Sequence, residues 1–284
     1  MSGASTRTFV AGDGARLTYR AFSAADGAEG EVPIILLHAT LSASVQLAGL
    51  ARLLAVRGPV LALDWRGSGE SPQPTPRPLD VAVHVADIGT LLDHEGVAAA
   101  ILVGHSFGGV VALEAAARLR GRVMAVVAWE PPYGPLADAG TRARFTAVAL
   151  ATERAHATGG AAAAAATFLD GVAGDGAWDA LPERSRAFLA AQGDGACADA
   201  ALTGLEAGGL ARIDEPVAIL TGTASEPFYA PIARAVVARV PGAHLVVLGG
   251  LRHTAPISDP EPVAAAILAA LTAAGIPSRP EAQP

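Results

Sequence analysis

An open α/β sheet, mostly parallel and covered by helices on both faces, is the fold that this sequence predicts. Three observations carry it. Short apolar runs recur along the chain, each is followed by a turn and a helical pattern, and the 284 residues carry 51% hydrophobic but only 17% charged side chains. A strand that is apolar at every position, rather than at alternate ones, is buried on both faces, as a parallel strand between two helical layers must be. The composition supplies apolar surface for one large core and excludes an intrinsically disordered chain.

The elements follow in order. Phe9–Val10 and Leu17–Phe22 flank Gly12-Asp13-Gly14 and form an opening hairpin. Pro33–Leu37, Val60–Leu63, Ala99–Val103 and Val123–Trp129 are the next strands, with a helix over Gly109–Leu119. Residues 132–212 break the rhythm. They are dominated by Ala, with six consecutive alanines at 161–166, carry the interruptions GDGAWD and GDGACAD, and lack β-branched runs. This segment reads as a small helical insertion of mobile character. The alternation resumes with Val217–Leu220, the helix Pro231–Val240, the strand His244–Leu248 and a helix Pro262–Ala274, before a Pro-rich tail expected to fray. The division is a core of 1–131 and 213–284 and a helical cap of 132–212.

Charge and cysteine content narrow the setting. Arg supplies all 20 positive charges against 27 acidic residues, a formal net charge of −7 with no Arg run. Such a surface repels a phosphate backbone, so no nucleic-acid partner is expected. The lack of Lys and Asn, with abundant Ala, Gly and Pro, reflects a GC-rich coding bias of the bacterial kind. The single Cys197 cannot form an internal disulfide, the start MSGASTRTFVAG lacks the apolar stretch of a signal peptide, and no apolar run is long enough to span a bilayer. A cytoplasmic protein without membrane contact is the expectation.

The strongest local signal is AAAILVGHSFGGVVALEAA. An apolar strand runs into Gly104-His105-Ser106-Phe107-Gly108, and an amphipathic helix begins at once. A Ser on so sharp a strand-to-helix turn takes strained backbone angles, and glycines two positions before and after it let neighbouring segments approach. As a bare G-x-S-x-G the pattern is weak, and its place between strand and helix makes it strong. The plain alternative is a Ser that only caps the following helix.

Four segments in order resemble the α/β-hydrolase superfamily over almost the whole chain. LLHATL is similar to the family's oxyanion-loop His-Gly segment, and ALDWRGSGES to its D-x-R-G-x-G-x-S segment. GHSFGG resembles the nucleophile elbow, and LGGLRHTAP the loop with the family's catalytic histidine. The resemblance implies Ser106 as nucleophile, His253 as general base, and the amides of Thr40 and Phe107 as the oxyanion hole. His38 and His105 brace their loops, while His84, His94, His156 and His244 are solvated or packed and none sits at metal-ligand spacing. One departure is Ala39 where the family has Gly, which matters if that position needs a positive φ.

The acid is the open member. The family's usual G-x-x-D turn reads Gly222-Thr223-Ala224-Ser225 here, with Glu226 one residue late. Glu130 ends the strand after the nucleophile helix, where some family members carry the acid. A carboxylate at the end of an apolar strand is costly without a partner. Glu130 therefore ranks first and Glu226 second, with Asp87 or no acid remaining. Asp64 and Arg66 are read as a structural pair around Gly67 and Gly69. Trp65, Trp129 and Tyr133 are candidates for an apolar pocket wall or for core.

What the resemblance implies is a serine hydrolase acting through an acyl-enzyme on an ester or lactone of a small, largely apolar molecule, with no cofactor and no metal. Alternatives are a carbon–carbon hydrolase, acyltransferase or perhydrolase with the same triad, or a non-enzymatic ligand-binding module. A Ser at 106 argues against the haloalkane and epoxide hydrolases, which use a carboxylate nucleophile. Oligomeric state and substrate identity stay open at this stage.

Overall fold

The computed structural model describes residues 4–24, 32–72, 79–200 and 203–276. The tail expected to fray lies at 277–284, outside the described residues. The strands are β1 (Ser5–Val10), β2 (Arg16–Phe22), β3 (Ile34–Leu37), β4 (Val60–Leu63), β5 (Ala100–His105), β6 (Val123–Trp129), β7 (Val217–Gly222) and β8 (His244–Leu248). They form one eight-stranded sheet in the order β1-β2-β4-β3-β5-β6-β7-β8. The opening hairpin is antiparallel and continues antiparallel onto β4, and all later pairings are parallel.

The apolar runs explain the layers. Every residue of β3, β4, β5 and β7 is buried. Helices α2 (Val81–His94), α3 (Phe107–Arg118) and α7 (Tyr229–Val237) pack on one face of the sheet. On the other lie α1 (Ala48–Leu54) and, near the C-terminus, a helix over Pro260–Ala273 that follows a short helical turn. The largest difference from the expected boundaries is at β1, which begins at Ser5 rather than Phe9, while β5 runs on through Gly104 and His105 to the residue before Ser106.

Strand order places the site. From β3 the chain moves outward to β4 and then returns to β5 on the other side of β3. Helix α1 after β3 and α3 after β5 lie on opposite faces, so the loops leaving β3 and β5 part and open a crevice, as open α/β sheets do where strand order reverses.

Between β6 and β7 the described residues are helical, in α4 (Ala139–Ala173), α5 (Glu183–Ala190) and α6 (Gly193–Ala200) with short 3-10 turns. Helix α4 is broken at Gly160, whose φ of 69° and ψ of −163° no α-helix contains. Only Thr152, Ala164 and Ala165 of its 35 residues are buried. These helices meet the core at few points. Leu41 from the loop after β3 packs with Ala165 and Ala196, Gly195 N–H donates to the Gly67 carbonyl at 3.2 Å, and Gly69 N–H donates to Gln192 Oε1 at 2.6 Å.

Candidate active site

Ser106 stands between β5 and α3 with φ 53° and ψ −117°. This left-handed backbone is strained for a residue with a Cβ, and such strain persists only where surrounding structure imposes it. The imposition is visible. A Cβ on Gly108 would lie 2.3 Å from the Leu37 carbonyl oxygen, and one on Gly104 would lie 2.4 Å from the Gly108 carbonyl carbon. Ser106 N–H is tied to the Trp129 carbonyl at 2.8 Å, and the Ser106 carbonyl accepts from Val110 N–H in the first turn of α3. The turn is thus locked on both sides, and the hydroxyl faces a cavity rather than capping the helix, since the Ser106 side chain makes no cap hydrogen bond.

The second strained residue is Glu130, with φ 46°. Its side chain is fully buried and fully partnered. Oε1 accepts from Gly222 N–H at 2.8 Å and from Thr221 Oγ1 at 3.0 Å, and Oε2 faces His253 Nδ1 at 2.8 Å. Burial raises the pKa of this carboxyl, but the hydrogen bonds from His253 and Gly222 outweigh it and leave the group below its ordinary range. The Ser225 side chain lies near enough to add to that lowering. With Nδ1–H donated to the carboxylate, Nε2 is the basic nitrogen of His253, a tautomer assigned from its neighbours.

Several contacts hold the imidazole. Its ring stacks on Tyr229 with centroids 4.2 Å apart and packs beside His105 at 4.9 Å. Trp129 Nε1 donates to the His253 carbonyl at 3.0 Å. Ser106, His253, Thr40, Phe107 and His105 line one cavity of about 1260 Å³. Among the described residues no hydrogen bond joins the Ser106 hydroxyl to the His253 ring. Contacts of this kind commonly tighten once substrate is bound.

The loop after β3 supplies the remaining wall. His38 is buried and neutral, because burial pushes its pKa down. It accepts from Trp65 N–H through Nε2 at 3.1 Å, and its Nδ1 lies 2.7 Å from the Ala39 carbonyl oxygen. Positive φ in this loop falls on Leu41, at 58°, and not on Ala39. The Ala in place of the family's Gly is therefore unstrained. The N–H of Thr40 makes no hydrogen bond among the described residues, and Phe107, as the first residue of α3, has an amide with no intrahelical acceptor.

Other sequence candidates go elsewhere. Glu226 is not bonded to His253; its carbonyl accepts from Tyr229 N–H. Asp87 is taken up by Arg66, which it binds through both oxygens at 2.7 Å. The expected Asp64–Arg66 pair is replaced by this one. Arg66 reaches Asp87 and Asp13, while Asp64 accepts from Ser44 N–H at 2.7 Å and Glu70 N–H at 3.1 Å. Trp65, Trp129 and Tyr133 are all buried in core positions rather than on the cavity wall. His84 is wedged between Trp65 and Phe107, with burial pushing its pKa down to about 3. His156 meets Asp194 at 2.6 Å, joining α4 to α6. Sequence reasoning did not single out Leu41, Tyr229 or Asp199, all of which bear on this cavity.

The family model described as "Alpha/beta hydrolase family" matches residues 34–266, most of the chain. The chain belongs to the alpha/beta hydrolase family. This hydrolase-fold chain is similar to a hydrolase from Pseudomonas aeruginosa, at TM-score 0.71 and 26% identity over 94% of this chain and 98% of that one. An esterase from Rhodococcus sp. shares the fold at TM-score 0.72 and 21% identity, over 95% of this chain and all of the other, 100%. Lipase LipV from Mycobacterium tuberculosis is 40% identical over 73 residues, which are 26% of this chain and only 27% of that protein. No helix among the described residues is long and apolar enough to cross a membrane.

Proposed function

We propose that this alpha/beta hydrolase is a serine hydrolase that cleaves carboxylic esters through an acyl-enzyme, with Ser106, His253 and Glu130 as its triad and 132–212 as a helical cap. The observation that carries the reading is the buried Glu130–His253 hydrogen bond of 2.8 Å, opening on the same cavity as the strained Ser106. Ser106 Oγ attacks the ester carbonyl carbon as its proton passes to His253 Nε2. The amides of Thr40 and Phe107 face the oxyanion. Collapse expels the alkoxide, which takes the proton from His253, and a water activated by the same nitrogen then releases the acid. Glu130 holds the imidazole in its tautomer and offsets the imidazolium charge.

The cavity sets the expected size. At about 1260 Å³ it exceeds the usual range for a small-ligand pocket. Phe145, Val148, Phe168, Leu169, Phe188 and Leu189 on its wall favour an apolar acyl or alcohol portion of several carbons.

The test is a fluorophosphonate probe together with hydrolysis of aliphatic methyl esters. The intact protein should be labelled at one residue and turn over hexanoate esters. Ser106→Ala should abolish labelling and lower kcat by several orders of magnitude, since triad members act as a unit. Activity within about tenfold of the original would remove Ser106 from the mechanism.

A further inference from the structure

Among the described residues Asp199 is the one acidic side chain on the cavity wall, and nothing in the mechanism uses it. It comes from α6, is 95% buried by its exposure of 5%, and neither carboxyl oxygen completes a hydrogen bond among the described residues. Burial drives its pKa well above the ordinary carboxylate value, and the nearby Thr40 side chain offsets only part of that. Burial thus favours the neutral form of the Asp199 carboxyl, which carries one O–H donor and spare acceptor capacity. A buried polar group left unpaired is costly, and here only the neighbouring Thr40 side chain offsets that cost. Glu130, by contrast, satisfies both of its oxygens.

We propose that Asp199 is a specificity-determining residue that receives a hydroxyl on the substrate, so that hydroxyacyl esters are preferred over plain acyl esters. Three observations fix the class. Asp199 neighbours Thr40, whose amide faces the carbonyl oxygen in the proposed reaction, so its partner group lies within a few bonds of that carbonyl. A neutral carboxyl both donates and accepts, which matches a hydroxyl. Arg142 and Arg184 line the same cavity and disfavour a cationic amine. The cavity as a whole is lined mostly by apolar side chains, so a ligand lacking the hydroxyl offers the carboxyl no new partner. Sites built to bind a substrate hydroxyl reject the deoxy analogue strongly for this reason.

The inference rests on the esterase reading and is tested beside it. Methyl 2-hydroxyhexanoate and 3-hydroxyhexanoate are compared with methyl hexanoate by acid release. At least one hydroxy ester should exceed hexanoate at least tenfold in kcat/KM. Asp199→Ala should erase that ratio and leave hexanoate turnover within about threefold, and Asp199→Asn, also neutral and hydrogen-bonding, should retain most of it. Equal loss on all three esters would make Asp199 a prop for Thr40 and overturn the proposal, as would an unchanged ratio in Asp199→Ala. Binding to Ser106→Ala, followed by ligand-induced thermal shift, needs no turnover. A hydroxyl preference there that vanishes in Ser106→Ala/Asp199→Ala sustains the subsite even if the esterase reading fails. Absence of preference in both assays overturns it while leaving Ser106-dependent ester hydrolysis intact.

Discussion

The two walls of the cavity are built on opposite terms. On the sheet side, Ser106 and Glu130 sit in left-handed backbone, and the strain is held by close contacts and by hydrogen bonds that satisfy the buried carboxylate completely. On the helical side, α4 is broken at Gly160, only three of its residues are buried, and neither Asp199 oxygen completes a hydrogen bond among the described residues. The first wall is rigid by over-determination, and the second meets the core at few points. Chemistry needs atoms placed to a fraction of an ångström, so it belongs on the first. Selectivity tolerates adjustment and belongs on the second.

The contrast predicts unequal effects of substitution. After loss of Ser106, the largest effect should come from Glu130→Gln. The amide keeps the shape but favours the wrong imidazole tautomer, which in a triad costs about 10⁴ in kcat. Glu226→Gln should stay within about threefold, and measured kcat values that reverse this order would move the acid to the turn after β7.

A smaller effect follows from titration of the same residue. Its folded pKa lies below the ordinary 4.5, so the folded state binds its proton less readily than the unfolded chain does. The resulting stability is fully present above about 4.5 and is lost as pH falls through the lower folded value. Urea unfolding between pH 6 and 3 should show a shallower acid-side decline in Glu130→Gln than in the original protein. Matching slopes would mean that the hydrogen bonds held by the buried Glu130 carboxylate add nothing to stability.

The smallest effects belong to the second wall. Leu41→Ala removes the side chain that anchors Ala165 and Ala196, at a cost of about 2–5 kcal/mol for a buried Leu. The cost is expected at the lower end, because the contact is peripheral. Amide exchange should already be faster in α4 than in β5, and Leu41→Ala should speed α4 and α6 further without changing β5. Exchange as slow in α4 as in β5 would give both walls the same rigidity.

The sequence made the first wall legible and the second opaque for a physical reason. Strands covered by helices read as apolar runs, so β4 and β6 were found at the boundaries they have, and the edge strand β8, none of whose residues is buried, was found by the apolar run Leu245–Leu248 alone. Ser106 announced itself because two glycines are needed where backbones approach so closely. Glu130 stood out as a charge ending an apolar run. No comparable rule marks Leu41, since any residue type in left-handed backbone looks ordinary in a sequence, and suspicion fell on Ala39 instead. Asp199 lies in GDGACAD, a composition that reads as surface. The Arg66–Asp87 pair joins distant segments, and local pattern therefore favoured Asp64.

Glu130 also bears on how catalytic competence is judged across genomes. Its Oε1 is held by Thr221 and Gly222, the end of the strand whose turn carries the acid in most relatives that the sequence resembles. Adjacent strands are about 4.8 Å apart, a gap that a glutamate side chain bridges. One location in space therefore has two addresses in the chain. A filter that demands an aspartate at position 225 would discard this chain as a dead relic, while a filter on the carboxylate beside the histidine would keep it.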